Sequence, residues 1–241
     1  RMTPAPVIDV ASDPEDLAML VAGFIATRIS SASGRLGLCL SGGSTPKRIY
    51  ELLGAEDMGA LLDWQKIHLF WGDERFVPPD HQDSNFRMAR EALIDYVPIP
   101  ATQVHPIPTG CASPEEAAGR YEATLQDFYG RKTLDPERPL FDVTLLGLGE
   151  DGHTASLFPG TRALDERDAW VTAIIGVKPE PRISLTYPAL ESSRVIVFIV
   201  SGANKREILA RVLANDEALP AARLATRGTI QIFADRAAIG G

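Results

Sequence analysis

The run Val195–Val200, reading VIVFIV, restricts the fold more than any other stretch of the chain. Six apolar residues follow one another with no polar alternate, which is the pattern of a central strand covered on both faces in a parallel sheet. Leu36–Leu40 and Phe141–Leu146 read in the same way, and Lys66–Trp71, Trp170–Val177, Ile183–Thr186 and Thr229–Ala234 add further extended segments. Between them lie helical patterns. Asp13-Pro14-Glu15 combines a capping residue, a first-turn proline and an early acid, followed by Leu17, Leu20, Val21, Phe24, Ile25 and Ile29 at helical spacing. Ser84 caps a helix to about Ile94, Ser113-Pro-Glu-Glu116 starts one to about Tyr129, and Arg206–Leu213 forms another. Strands alternate with helices almost throughout, so the expected fold is α/β with a mostly parallel sheet.

The chemistry concentrates where such strands end. After Leu146 the chain passes Gly147, Gly149 and Gly152 and at once presents Asp151 and His153. In open α/β sheets, ligands bind outside the carboxyl ends of strands, and an imidazole standing there is suited to general-base work. Thr154 and Ser156 are expected to cap a short helical turn. The plainer alternative is a turn whose Asp and His satisfy local donors. Ser41-Gly-Gly-Ser-Thr45 follows another apolar strand; Thr45 is expected to cap a helix opened by Pro46, leaving N–H groups and a positive dipole end for a phosphate. Asp73, Glu74 and Arg75 follow a third strand, and Arg182 and Lys205 add positive charge at later strand ends.

Several classes are set aside on the residues themselves. Gly147–Gly152 matches G-x-G-x-x-G, yet Pro159 and Gly160 break the segment where a dinucleotide site needs a long helix, and no acid ends the next strand. The four histidines lack metal-ligand spacing and there is no serine nucleophile elbow. No cofactor or metal is therefore expected. The formal charge of −8 argues against a nucleic acid partner and requires a local pocket for any anionic substrate. No apolar run approaches the roughly 18 residues of a membrane span. Arg1-Met2 reads as a cloning remnant with no secretory segment behind it, and Cys39 and Cys111 form no motif, which suits a reducing cytoplasm. The 241 residues are expected to form a single domain.

The blocks SGGSTP (41–46), WGDERFVP (71–78), DSNFRMA (83–89), LLGLGEDGHTASLFP (145–159), RISLT (182–186) and SGANKR (201–206), taken in order, resemble the 6-phosphogluconolactonases within the larger glucosamine-6-phosphate deaminase family. The resemblance implies a three-layer α/β/α fold and hydrolysis of 6-phosphoglucono-δ-lactone to 6-phosphogluconate, in the oxidative pentose phosphate pathway. It implies a phosphate site at Ser41, Gly42, Gly43, Ser44 and Thr45 with Arg182 and Lys205. His153 would activate water, with Asp151, Asp73 and Arg75 organising the reaction; either acid is suited to orienting the imidazole. A cytoplasmic monomer or weak homodimer is expected. Deaminases of the family carry a glutamate soon after the histidine, and Thr154–Pro159 contains no acid. A sugar-phosphate sensor without catalysis is the other alternative; such regulators place a DNA-binding helix-turn-helix ahead of this fold, and none is expected here.

Overall fold

A computed structural model describes residues 2–240 of the chain; Arg1 lies outside them. The larger sheet has six parallel strands: β1 (Val7–Ala11), β2 (Leu36–Leu40), β3 (Ile67–Trp71), β5 (Phe141–Leu146), β8 (Ser193–Val200) and β9 (Thr229–Asp235), in the order β1-β9-β8-β5-β2-β3. The apolar run singled out above lies in β8, which pairs with β5 at the middle of the sheet. Every residue of β2 is buried, as are the last six of the eight-residue β8, so both faces of the sheet are covered. The covering helices are α1 (Pro14–Ser31), α2 (Ser44–Gly54), α3 (Glu56–Gly59), α4 (Asn85–Ala92), α5 (Pro114–Tyr129), α6 (Tyr187–Glu191), α7 (Arg206–Leu213) and α8 (Arg236–Ile239). The fold is α/β, a mostly parallel sheet layered with helices.

Three helix starts form for the reasons their sequences give. The side chains of Asp13, Ser84 and Ser113 each accept a hydrogen bond from the N–H three residues on, at Asp16, Arg87 and Glu116. On α1, Leu17, Val21, Ile25 and Ile29 are buried as the spacing requires, whereas Leu20 is 40% exposed and lies off the buried face. Met2 is packed into the core. No helix among the described residues is long and apolar enough to cross a membrane.

A second, antiparallel sheet is the feature that the sequence pattern leaves hidden. It consists of β4 (Asp73–Arg75), β7 (Arg182–Leu185) and β6 (Val171–Ile174), in the order β4-β7-β6. Asp73–Arg75 is therefore a strand and not a loop. Its register sets Asp73 opposite Ser184 and Arg75 opposite Arg182. Residues of this sheet, among them Ile183, Leu185 and Val171, share one continuous core with those of the larger sheet.

Candidate active site

Four neighbouring parallel strands, β3, β2, β5 and β8, deliver their carboxyl ends to one edge of the larger sheet. The chain turns outward from β2 to β3 and then returns to β5 on the other side of β2, so the strand order reverses there and a crevice opens between the two. The segments after these ends carry Ser41–Thr45, Asp73–Arg75, Asp151–His153 and Ser201–Lys205.

The histidine turn is built around its glycines. His153 Nδ1 lies 2.6 Å from Asp151 Oδ1, and the backbone N–H of His153 donates to the same oxygen at 3.0 Å. An ionised carboxylate only accepts, so Nδ1 carries the proton and Nε2 presents its lone pair. The imidazole occupies the space above Gly149; a Cβ there would collide with its Nδ1. Gly152 sits at φ +85° with Leu219 pressed against it, a conformation and a clearance that glycine alone accepts. Burial pushes the Asp151 carboxyl upward, but the backbone N–H, the ring and the charge of His153 outweigh it and hold the group below its ordinary range. No helix follows: Thr154 and Leu157 form a bridge across a tight turn with Ala155 at φ +49°. Thr154 and Ser156 are accordingly not helix caps. The Thr154 hydroxyl donates to Gly147 O at 2.9 Å, closing the turn, and the Ser156 hydroxyl donates to Asp73 Oδ2 at 2.7 Å.

This last bond separates the two acids. Asp151 holds the imidazole, while Asp73 is engaged by Ser156 from the turn beyond it. Arg75 likewise has its cross-strand neighbour in Arg182, and it donates through Nη1 to Asp83 O at 3.1 Å. Like charges directly opposite on paired strands repel. Each guanidinium also retains one buried Nε–H without an acceptor, so the pair is suited to an anion. Arg182 has a carboxylate neighbour in Glu180 at 2.8 Å. Its guanidinium also lies 5.8 Å from the ring centroid of Phe158, on which the imidazole of His153 rests at 4.7 Å.

A cation from the β6–β7 connection joins this group. The ammonium of Lys178 stands 5.1 Å from the same ring centroid. Its place against Phe158 depends on the fold of the β6–β7 connection, which no local sequence pattern reveals.

The phosphate-type turn is placed differently in detail from the expectation. Helix α2 begins at Ser44, and its cap is Gly43 at φ +108°, not Thr45. No side chain caps this helix, so the N–H groups at its start have no side-chain acceptor. Tyr50 fixes the strand end by accepting from Ser41 N at 2.9 Å and donating to Ser41 O at 2.7 Å. Lys205 is held from the other side: its ammonium donates to Leu148 O at 2.6 Å, and Asp235 fixes the preceding turn through Ser201 Oγ and Gly202 N. Among the described residues no cluster of three or more His, Cys, Asp or Glu has the arrangement of a metal site.

The family described as glucosamine-6-phosphate isomerases/6-phosphogluconolactonase matches residues 12–232. The chain is 44% identical over 238 residues to a 6-phosphogluconolactonase of Nostoc sp., covering 96% of each. It is 37% identical over 246 residues to one of Rattus norvegicus, covering 98% of this chain and 93% of that one. The solved structure of a 6-phosphogluconolactonase from Trypanosoma cruzi superposes with a TM-score of 0.84 at 30% identity, over 97% of this chain and 95% of that one. A monomeric glucosamine-6-phosphate deaminase, at 22% identity and a TM-score of 0.80, shares the fold. Glycine turn, imidazole slot and sheet edge thus sit on a shared framework, and the chain belongs to the glucosamine-6-phosphate isomerase/6-phosphogluconolactonase family.

Proposed function

We propose that this chain hydrolyses 6-phosphoglucono-δ-lactone to 6-phosphogluconate, with His153 as general base. The observation that carries the proposal is the Asp151–His153 pair, which leaves Nε2 basic on a ring packed against Phe158, which Lys178 and Arg182 also approach. A δ-lactone is an activated ester, so one positioned base acting on water suffices. His153 Nε2 takes a proton from water as its oxygen bonds to the lactone carbonyl carbon. The carbonyl becomes a tetrahedral oxyanion. As that collapses, the bond from carbon to ring oxygen breaks and the imidazolium returns its proton to the departing oxygen. Asp151 keeps the ring in the required tautomer throughout. Lys178, which shares the Phe158 ring with His153, favours the negative charge as it develops.

The phosphate is assigned to Ser41, Gly42, Gly43, Ser44 and Thr45, with Arg182, Lys205 and Arg75 supplying charge. Asp73 positions the Thr154–Leu157 turn through Ser156 and is not the group that orients the base. The sequence match to 6-phosphogluconolactonases over nearly the whole chain supports the substrate. The absence of an acid in Thr154–Pro159 counts against amine release. We take the chain to act as a single domain in the cytoplasm, as a monomer or weak homodimer needing no cofactor. Its partner is the small sugar-phosphate lactone, with neither nucleic acid nor membrane, in keeping with its net charge of −8.

The test compares lactone disappearance, corrected for spontaneous hydrolysis, for the phosphorylated lactone and for unphosphorylated glucono-δ-lactone. The expected kcat/KM ratio is on the order of a hundredfold or more, the range of a few charge-assisted contacts. Equal rates would contradict the phosphate assignment, and ammonia release from glucosamine 6-phosphate would contradict the reaction.

A further inference from the structure

Glu74 is a buried acid that the hydrolysis does not use. It is 2% exposed, and no cation pairs with it among the described residues. Three backbone N–H groups point at its carboxylate instead: Asn85 N at 2.8 Å and Arg75 N at 2.9 Å on Oε1, and Phe86 N at 2.9 Å on Oε2. Two of these belong to the first turn of α4, whose third donor, Arg87 N, is taken by Ser84 Oγ at 3.1 Å. The start of α4 is thus satisfied from within the chain, in contrast to the start of α2, which no side chain caps. Burial pushes the Glu74 carboxyl up to about 7, opposed by those three N–H groups and assisted by the charge of Asp73.

What the carboxylate holds in place reaches the anion turn. The side chain of Asn85 donates through Nδ2 to Asp73 O at 3.1 Å. It also fills the space above Gly42 so closely that a Cβ on Gly42 would collide with its Oδ1. Asn85 therefore touches two site segments at once, and its own backbone is tied to Glu74 in the strand beside Asp73.

We propose that Glu74 is a positioning residue. Its carboxylate fixes the first turn of α4, so that Asn85 sets the position of the Gly42 turn relative to Asp73 and Arg75. This rests on the reading of Ser41–Thr45 as the phosphate cradle. Through Asn85, Glu74 governs affinity for the phosphate end of the substrate more than the proton transfer at His153. A glutamine is a poor replacement, because its amide nitrogen must face an N–H donor where the carboxylate has an oxygen.

The test has two readouts. Amide hydrogen exchange on Glu74→Gln, with no substrate present, should show faster exchange in residues 85–86 and, within 41–45, at Ser41, whose N–H Tyr50 protects. Steady-state kinetics on the two lactones should show KM for the phosphorylated one rising about tenfold, kcat changing no more than about threefold, and their kcat/KM ratio falling about tenfold, as for loss of one hydrogen bond to a charged group. Glu74→Asp should restore part of the ratio. Asn85→Ala, which leaves Glu74 and its backbone donors in place, should reproduce the lowered ratio and covers the case in which the Gln variant does not fold. Equal losses on both lactones would show a structural role only and overturn the proposal, as would undisturbed exchange at Ser41. If the wild-type chain does not prefer the phosphorylated lactone, the phosphate reading itself fails, and the exchange data still decide whether Glu74 holds the 41–45 turn.

Discussion

The imidazoles of His153 and His105 have close polar partners of opposite kinds. His153 rests on Phe158 at the carboxyl edge of the sheet, its Nδ1 bound to a carboxylate and its side chain 29% exposed. His105 lies in an aromatic cluster with Phe70 and Phe128, and its Nε2 meets Nδ1 of His68 at 3.0 Å. Burial, and then the charge of His68, push His105 down to about 4, and His68 is lowered as well, by burial and by Arg35. A proton arriving at the second pair finds no anion to pair with. At the first it does. Histidine as a residue type therefore says little about base catalysis; what matters is an acceptor on one nitrogen and an open approach to the other.

The comparison can be broken at either pair. The larger effect is expected at the first. Asp151→Ala removes the oxygen that accepts from Nδ1, so nothing holds the ring proton there and the basic lone pair is no longer fixed at Nε2. Turnover of the phosphorylated lactone should fall about a hundredfold with KM little changed, a typical general-base contribution. A rate within a few-fold of wild type would show that Asp151 does not set the tautomer.

The smaller effect is expected at the second pair, and on stability. A folded-state pKa of about 4 lies below that of an unfolded histidine, near 6.5, so between these values the unfolded chain binds more protons than the folded one. This contribution is fully present above pH 6.5 and is lost as the pH falls toward 4, by about 1–2 kcal/mol once partial exposure is discounted. His105→Gln should flatten the stability profile over that window, followed by denaturant unfolding, and change turnover less than about twofold. An unchanged profile would remove His105 from the account of acid sensitivity.

Much of this arrangement was legible because local rules decide it. Asp13, Ser84 and Ser113 announce helix starts by residue type, and VIVFIV announces a covered strand by having no polar face. The candidate residues were legible as types at strand ends. Their partners were not. The β4–β7 pairing joins residues more than a hundred positions apart, and a three-residue strand reading Asp-Glu-Arg has no alternation to reveal it. Without that register, Arg75 reads as one more charge at a strand end, and Asp73 is indistinguishable from Asp151. Thr45 has the hydroxyl that a cap of α2 calls for, whereas Gly43 at positive φ starts the helix with none. Thr154 and Ser156 carry capping hydroxyls too, yet the bridge from Thr154 to Leu157 directs them to Gly147 and Asp73.

The most direct test of His153 as base is the turnover of 6-phosphoglucono-δ-lactone by His153→Ala beside the wild type, at mildly acidic to neutral pH where uncatalysed hydrolysis is slow. The loss of kcat expected is about a hundredfold to ten-thousandfold, with binding of the phosphorylated lactone largely retained, because the base and the phosphate cradle are separate groups. Near-normal turnover by His153→Ala would contradict the account, and the Asp151–His153 pair would then be no more than a well-made turn.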